Sequence, residues 1–360
     1  MTSQALARVT GLADRIRPLP RLAIVPVLIG TLIAVFIVSL AIGAVDIAPQ
    51  QVVAILAQRV VGLDLGATYT KQQELVLWNI RLPRILLGLL AGCGLAVAGA
   101  SLQGIFRNPL ADPGLIGASS GGAVGAVGMI MLGIAPLGTY SLPVAAFTGS
   151  VLVTGLVYLL SRHGGRTEVV TLILTGVALN AIAGAAIGLM NFYATDAQLR
   201  SIVFWSMGSL GGGTWRVVYA TTPFVVVGVL LLMTQRRALN LMILGEREAF
   251  HLGLSTERVR VQVITLSALI SGAVVAAIGI VGFVGLVVPH LMRLLDGPDN
   301  RVLLPVSALG GSILLLLADL FARTLLSPLE LPLGIVTALV GGPYFLWLLH
   351  HTRQTQGGWG

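Results

Sequence analysis

The sequence predicts an all-α membrane protein with about ten transmembrane helices, and three observations predict it. Of its 360 residues, 56% are hydrophobic and only 10% charged, with a mean hydropathy of +0.94, whereas soluble domains are about 25% charged. A helix needs about 20 apolar residues to cross roughly 30 Å of hydrocarbon, and Leu22–Ala41, Val144–Leu160 and Val217–Met233 are runs of that kind. The 45 glycines sit in apolar surroundings, where small residues let membrane helices approach closely.

Taken in order, residues 1–21 are polar and basic (Arg8, Arg15, Arg17, Arg21) and lead into a first span, 22–43. That span is longer than the apolar region of a cleaved signal and has no small-residue cleavage site, so it reads as a retained anchor. Residues 47–60 read as a short amphipathic surface helix introduced by Pro49. The following spans are 82–104, 114–133, 143–161, 171–190, 217–234 and 261–279. The eighth, 281–295, is short and contains Pro289, which lacks a backbone donor, so it is expected to be bent or incomplete. Spans 302–322 and 332–350 close a single transmembrane domain, 22–350, with a tail at 351–360.

An even number of spans puts both termini on one side. With the N-terminus inside, fifteen of the 22 basic residues lie at inner ends and seven at outer ends, the asymmetry expected of a cytoplasmic N-terminus. Gly92 and Gly99 in the second span match Gly272 and Gly279 in the seventh by spacing. An inverted repeat and coincidence in a glycine-rich chain both account for this.

Composition excludes several functions. The longest polar interval, Gln235–Arg260, is too short for a nucleotide-binding or catalytic domain of about 100 residues, so any such engine belongs to a partner chain. The net charge of +8 comes from residues flanking apolar spans, without the aromatic-interleaved patch of a nucleic-acid binder. Cys93 is the only cysteine, which rules out an intrachain disulfide and leaves a small core residue. No His-Glu-x-x-His pattern or phosphate loop occurs, and nothing suggests a catalytic constellation. His163, His251, His290, His350 and His351 are too spread to build a metal site; His290, after Pro289, reads as a structural hydrogen-bonder. Ion-coupled transporters carry intramembrane acids. The main one here is Asp319, four residues before Arg323 and so placed for a local ion pair.

Three segments carry candidate chemistry. Leu244–Arg260 (LGEREAFHLGLSTERVR) is charged but has apolar points at helical spacing. Gly253 can end one short helix and Ser255 can cap the next, with Glu257 near its positive end. Such a pair suits a groove on a soluble partner, or it is an ordinary solvated loop. Arg81, Arg84 and Arg323 fall at outer ends of spans, either as snorkelling anchors or as exposed receivers of carboxylates from a docking protein. Arg107–Gly114 (RNPLADPG) breaks the helical pattern with two prolines. Irregular backbone at membrane depth is tolerated only against protein or a water-lined cavity, so the segment is a candidate gate or a simple turn.

The stretches IRLPRILLGLLAGCGLAVAGASLQGIFRNPLADPGLIG (Ile80–Gly117), LGEREAFHLGL (Leu244–Leu254), GFVGLVVPHLMRLL (Gly282–Leu295), NRVLLP (Asn300–Pro305), LLLADLFAR (Leu315–Arg323) and ELPLGIVTALVGGPYFLWLL (Glu330–Leu349) occur in this order. Over Leu22–Leu349 the chain thereby resembles the FecCD-type permeases of iron-siderophore, haem and cobalamin importers. The resemblance implies a cobalamin-importer-like permease fold in a homodimer, with two cytoplasmic ATPase subunits holding ATP and Mg, and a periplasmic substrate-binding protein. It implies a bacterial inner-membrane location surrounded by lipid, with no nucleic-acid partner and no cofactor bound by this chain. It further implies that Glu246, Arg247, Glu248, Phe250, Gly253 and Leu254 couple to the ATPase, and that Arg81, Arg84 and Arg323 meet glutamates of the binding protein. Asn108 and Leu110 would form the cytoplasmic gate, closed against Thr167 and Glu168, and the fifth and tenth spans would line the path. Thr195–Thr214 (TDAQLRSIVFWSMGSLGGGT) looks closer to haem permeases than to siderophore ones, although Arg200 and Phe204-Trp205 are shared with the cobalamin permease. The implied cargo is therefore haem, with siderophore or cobalamin as the alternative. A secondary transporter independent of ATP would show paired intramembrane acids, and a structural scaffold would need neither gate nor docking arginines.

Overall fold

The computed structural model describes residues 21–43, 45–163, 166–327 and 329–355. Segment 1–20 and residues 356–360 lie outside it, and with them most of both expected cytoplasmic ends. The helices are α1 (Arg21–Ala41), α2 (Pro49–Val61), α3 (Lys71–Val76), α4 (Leu82–Phe106), α5 (Ala118–Leu132), α6 (Ser141–Leu160), α7 (Val169–Tyr193), α8 (Asp196–Ser206) and α9 (Trp215–Thr234). They continue as α10 (Arg236–Leu244), α11 (Glu246–His251), α12 (Thr256–Ile278), α13 (Val284–Asp296), α14 (Asn300–Thr324) and α15 (Leu333–Thr355). A π turn, Leu77–Arg81, fuses α3 to α4. The two-residue strands β1 (Arg162–His163) and β2 (Arg166–Thr167) pair antiparallel just before α7.

Seven helical stretches among the described residues are long and apolar enough to cross a membrane: α1, the α3–α4 rod, α6, α7, α9, α12 and α14. Among the described residues α5 and the apolar part of α15 add two shorter apolar helices, and α13 stands where the eighth span is expected. Helix starts follow local chemistry. Thr70 and Thr195 cap α3 and α8 with reciprocal bonds to Gln73 and Gln198, and Asp299 accepts from Arg301 N at 2.9 Å to start α14, each satisfying an orphan N–H.

Three boundaries differ from expectation for stated reasons. The third span starts at Ala118 rather than 114, because Pro113 opens a 3-10 turn through Ile116. The eighth is short, as expected, but its break lies ahead of Pro289: residues 279–283 are non-helical, and α13 has 13 residues and runs through the proline. The polar interval after α9 starts with a helix not foreseen, α10. It buries Leu239 and Met242 and is pinned when Asn240 Oδ1 accepts from Asn300 N and Nδ2 at 2.8 and 2.9 Å.

The rod ending in α4 is the centre. Its apolar stretch is 78% buried, against 17% for α1 and α7. Lipid is as apolar as leucine, so close packing rather than the hydrophobic effect holds such a centre. Glycine permits that approach: a Cβ at Gly92 would collide with Gly311 O of α14, and one at Gly99 with Gly285 O of α13. The glycine spacing shared by the second and seventh spans does not give matching contacts. Gly272 faces Ser150 and Phe147 side chains, and Gly279 is the C-cap of α12 rather than a mid-helix contact.

Candidate functional site

Functional side chains gather at the two ends of the bundle. At one end Arg84, on the first turn of α4, reaches α14. Its Nε and Nη2 donate to Asp319 Oδ1 at 3.0 and 2.9 Å, and Nη1 donates to Glu330 Oε1 at 2.9 Å. Asp319 also pairs with Arg323 Nε at 3.5 Å, so the expected local pair exists but is the smaller part of the arrangement. The other Arg323 nitrogens donate to Ile42 O at 2.7 Å and Ser39 O at 2.5 Å. Arg81 donates to Leu40 O and Ala41 O at 2.7 and 2.8 Å, and to Val45 O. Arg81 and Arg323 therefore close the end of α1, where the last carbonyls lack helical donors and the dipole favours a cation.

This corrects the exposure expected of the three arginines. Arg81 and Arg84 are buried, and the Arg323 side chain is 8% exposed. Orphan carbonyls and buried carboxylates compete for the guanidiniums, and they win over solvent because an unpaired group there is costly.

At the opposite end only the first of the two expected short helices forms, α11; the second is the opening of the 23-residue spanning helix α12, whose apolar run continues without a break. Gly253, at φ 84°, ends the first. Ser255 takes the N-cap position of α12 without accepting a side-chain bond, and Glu257 lies in the first turn. Ala249 is fully buried, whereas Phe250 and Leu252 are 63% and 62% exposed; Glu246, Arg247, Glu248 and Gly253 are also exposed, and Leu254 packs partly against the core.

Thr167 is tied directly to this segment. Its Oγ1 donates to Glu257 Oε1 at 2.7 Å and its N to Oε2 at 3.2 Å. Arg260, side chain 1% exposed, donates to Thr167 O, to Glu257 Oε2 at 3.0 Å and to Glu246 Oε1 at 2.7 Å. One arginine thus joins the β1–β2 hairpin, α11 and α12. Sequence reading counted Arg260 only as an inner charge; its spacing three residues after Glu257 was the available signal.

A cleft of about 990 Å³ between these elements is lined by Arg107, Thr167, Glu168 and residues of 245–257. Asn108 and Leu110 are not in its wall. Asn108 Oδ1 accepts from Leu110 N at 2.9 Å, folding the loop onto itself. In the same loop Asp112 accepts from Gly114 N at 2.8 Å. Burial raises the Asp112 carboxyl above its ordinary pKa, opposed by the Gly114 N–H, which lowers it. The loop is held to α13 through Gln103, whose Nε2 donates to Ala111 O at 3.3 Å and Leu286 O at 3.3 Å while Oε1 accepts from Arg293. The role expected of His290 is not observed: neither ring nitrogen has a hydrogen-bond partner among the described residues, and the ring lies 6.3 Å from that of Tyr344.

A buried arginine clamp lies at one end, the bundle is broken at residues 279–283, and a three-way charged joint lies under an exposed apolar pair at the other end. The FecCD transport family model matches residues 31–351. The chain belongs to the FecCD transport family. It is 46% identical over 298 residues to the hemin transport system permease protein HmuU of Yersinia pestis, covering 82% of this chain and 89% of that one. It is 42% identical over 288 residues to the cobalamin import system permease protein BtuC of Halobacterium salinarum, covering 80% and 76%. An inward-facing metal-chelate-type ABC transporter superposes with a TM-score of 0.78 at 34% identity, over 91% of this chain and 99% of that one. A member of this family is a multi-pass permease subunit of an ABC importer rather than an enzyme.

Proposed function

We propose that this permease moves haem across a bacterial inner membrane by alternating access, as a homodimer served by two cytoplasmic ATPase subunits and a periplasmic binding protein. In this reading both termini are cytoplasmic, the Arg260 end faces the ATPase, and ATP with Mg is consumed there. The single observation that carries the mechanism is the Arg260 joint. A push on Phe250 and Leu252 is passed by Glu246 to Arg260, and from Arg260 and Glu257 to Thr167. Thr167 stands two residues before α7, which with α15 is assigned to the path.

Glu246, Arg247, Glu248, Phe250, Gly253 and Leu254 are assigned to coupling, and Thr167 and Glu168 to the moving side of the gate. Asn108 and Leu110 form its fixed side, held by the Gln103 contacts. Docking of the binding protein is assigned to the Arg84 end, where Arg84 and Arg323 are paired with Asp319 and Glu330. The half-exposed Glu330 is the partner an incoming glutamate would displace. Asp319 is neutralised by two arginines, which speaks against ion coupling.

Haem is favoured by the 46% identity to a hemin permease and by the Thr195–Thr214 segment, which forms α8 with Phe204 exposed. Cobalamin is the second reading, favoured by the 42% identity to a cobalamin permease. The test is uptake into proteoliposomes holding this chain and its ATPase, with the binding protein and haem outside. Uptake that needs every component is expected. Uptake of cobalamin or a ferric siderophore alone would overturn the cargo, and transport without ATP would overturn the mechanism.

A further inference from the structure

A second feature of the Arg84 end takes no part in that mechanism. A cavity of about 850 Å³ opens there between α6, α8, α9 and α12, within the roughly 300–1,000 Å³ range of small-molecule sites. Its depth comes from small residues: Ala220 on α9 and Ala273, Ala276 and Ala277 on α12 leave space between bulkier neighbours. Phe147 and Phe224 close one wall with ring centroids 4.9 Å apart. Trp215 is fixed at the rim, donating from Nε1 to Trp78 O at 2.9 Å and stacking on Tyr219 at 5.6 Å. Arg216 stands exposed beside it, with no hydrogen bond or ion pair among the described residues.

We propose that this cavity is a phospholipid site, with acyl chain among the phenylalanines and alanines and the phosphodiester on Arg216. Three of its walls, α6, α9 and α12, are helices long and apolar enough to cross a membrane, so the medium that fills an apolar recess there is lipid. The aromatic-and-arginine rim is the chemistry of the headgroup level. An unpaired cation complements a phosphate, whereas its neighbours Arg81, Arg84 and Arg323 have their needs met internally. Cargo is the less suited occupant, because no residue of α7 or α15 lines the cavity.

The test uses the complete transporter in nanodiscs containing a phosphatidylglycerol with a diazirine at the end of its acyl chain. Illumination is expected to place adducts on the α6, α9 and α12 peptides that carry Phe147, Phe224 and Ala273. Ala220→Trp, which fills the cavity from an exposed position, should abolish them. Arg216→Gln should lower them about fivefold, the worth of one basic residue at a lipid surface, and a diacylglycerol with the same labelled chain should match that reduced level. Adducts spread evenly over α1, α7 and α9 and unmoved by Ala220→Trp would overturn the proposal, as only boundary lipid would then be present. Loss of the adducts on adding haem would also overturn it, by giving the cavity to the cargo.

Discussion

Each end of the bundle is organised around a buried arginine with two carboxylates, yet the two are built for opposite purposes. At the Arg84 end the arginine and Asp319 are 11% and 3% exposed, and the pair joins helices 235 residues apart in the chain. At the Arg260 end the arginine is 1% exposed while Glu246 and Glu257 are 49% and 28% exposed. A buried charge left alone is strongly destabilising, whereas water replaces much of a half-exposed partner. The first arrangement seals its carboxylate between helices, and the second leaves both of its carboxylates open to water. The same residue types make a closed clamp or a solvated joint according to how much water reaches the acid.

The largest test of this contrast is Asp319→Asn, which takes from Arg84 and Arg323 the one buried carboxylate they share. It should destabilise the solubilised protein by about 3–5 kcal/mol, the cost of breaking a buried pair, seen as a lower thermal midpoint and poor yield. A loss under about 1 kcal/mol, as at an exposed pair, would remove the clamp. Arg260→Ala should cost less, about 1–3 kcal/mol for its charged bonds, but should cut uptake sharply while ATP hydrolysis by the complex continues. Hydrolysis and uptake falling in proportion would mean that Arg260 is not a transmitter. Gly253→Val should strain the left-handed backbone by about 1–2 kcal/mol and partly uncouple transport. No atom lies within 4 Å of the added Cβ, so Gly253→Asn, which tolerates that backbone, should restore coupling; a defect shared by both variants would point to lost contact with the ATPase instead. Glu246→Gln is the mildest, under about 1 kcal/mol, with a modest rise in ATP used per haem imported. An effect as large as that of Arg260→Ala would make Glu246 the centre of the joint.

The long apolar spans, the short α13 and the break between α11 and α12 were legible because apolar run length and Gly253 are local signals. α10 was not, since Arg236, Arg237 and Asn240 read as a polar loop, while Leu239 and Met242 are buried and Asn240 is bonded to Asn300. The arginines were legible as residues worth attention but not as buried ones. Nothing near Arg81 in sequence announces that its partners are the carbonyls of Leu40 and Ala41, and the Arg84–Asp319 bond spans most of the chain. The Arg260 joint was half visible through Glu257, but its link to Thr167 crosses 93 positions.

That separation along the chain also bears on how the protein is made. α4 enters the membrane early, yet Asp319 follows Arg84 by 235 residues, which at about 5–20 residues per second is a wait of roughly 10–50 s. For that time the arginine has no carboxylate, and the glycine faces that will meet α13 and α14 have no opposing helix. The nascent rod must be sheltered, with Arg84 drawn to the headgroups, until the ninth span arrives to complete it. The residue that makes the finished bundle firm is thus the one that leaves the growing chain most dependent on the insertion machinery.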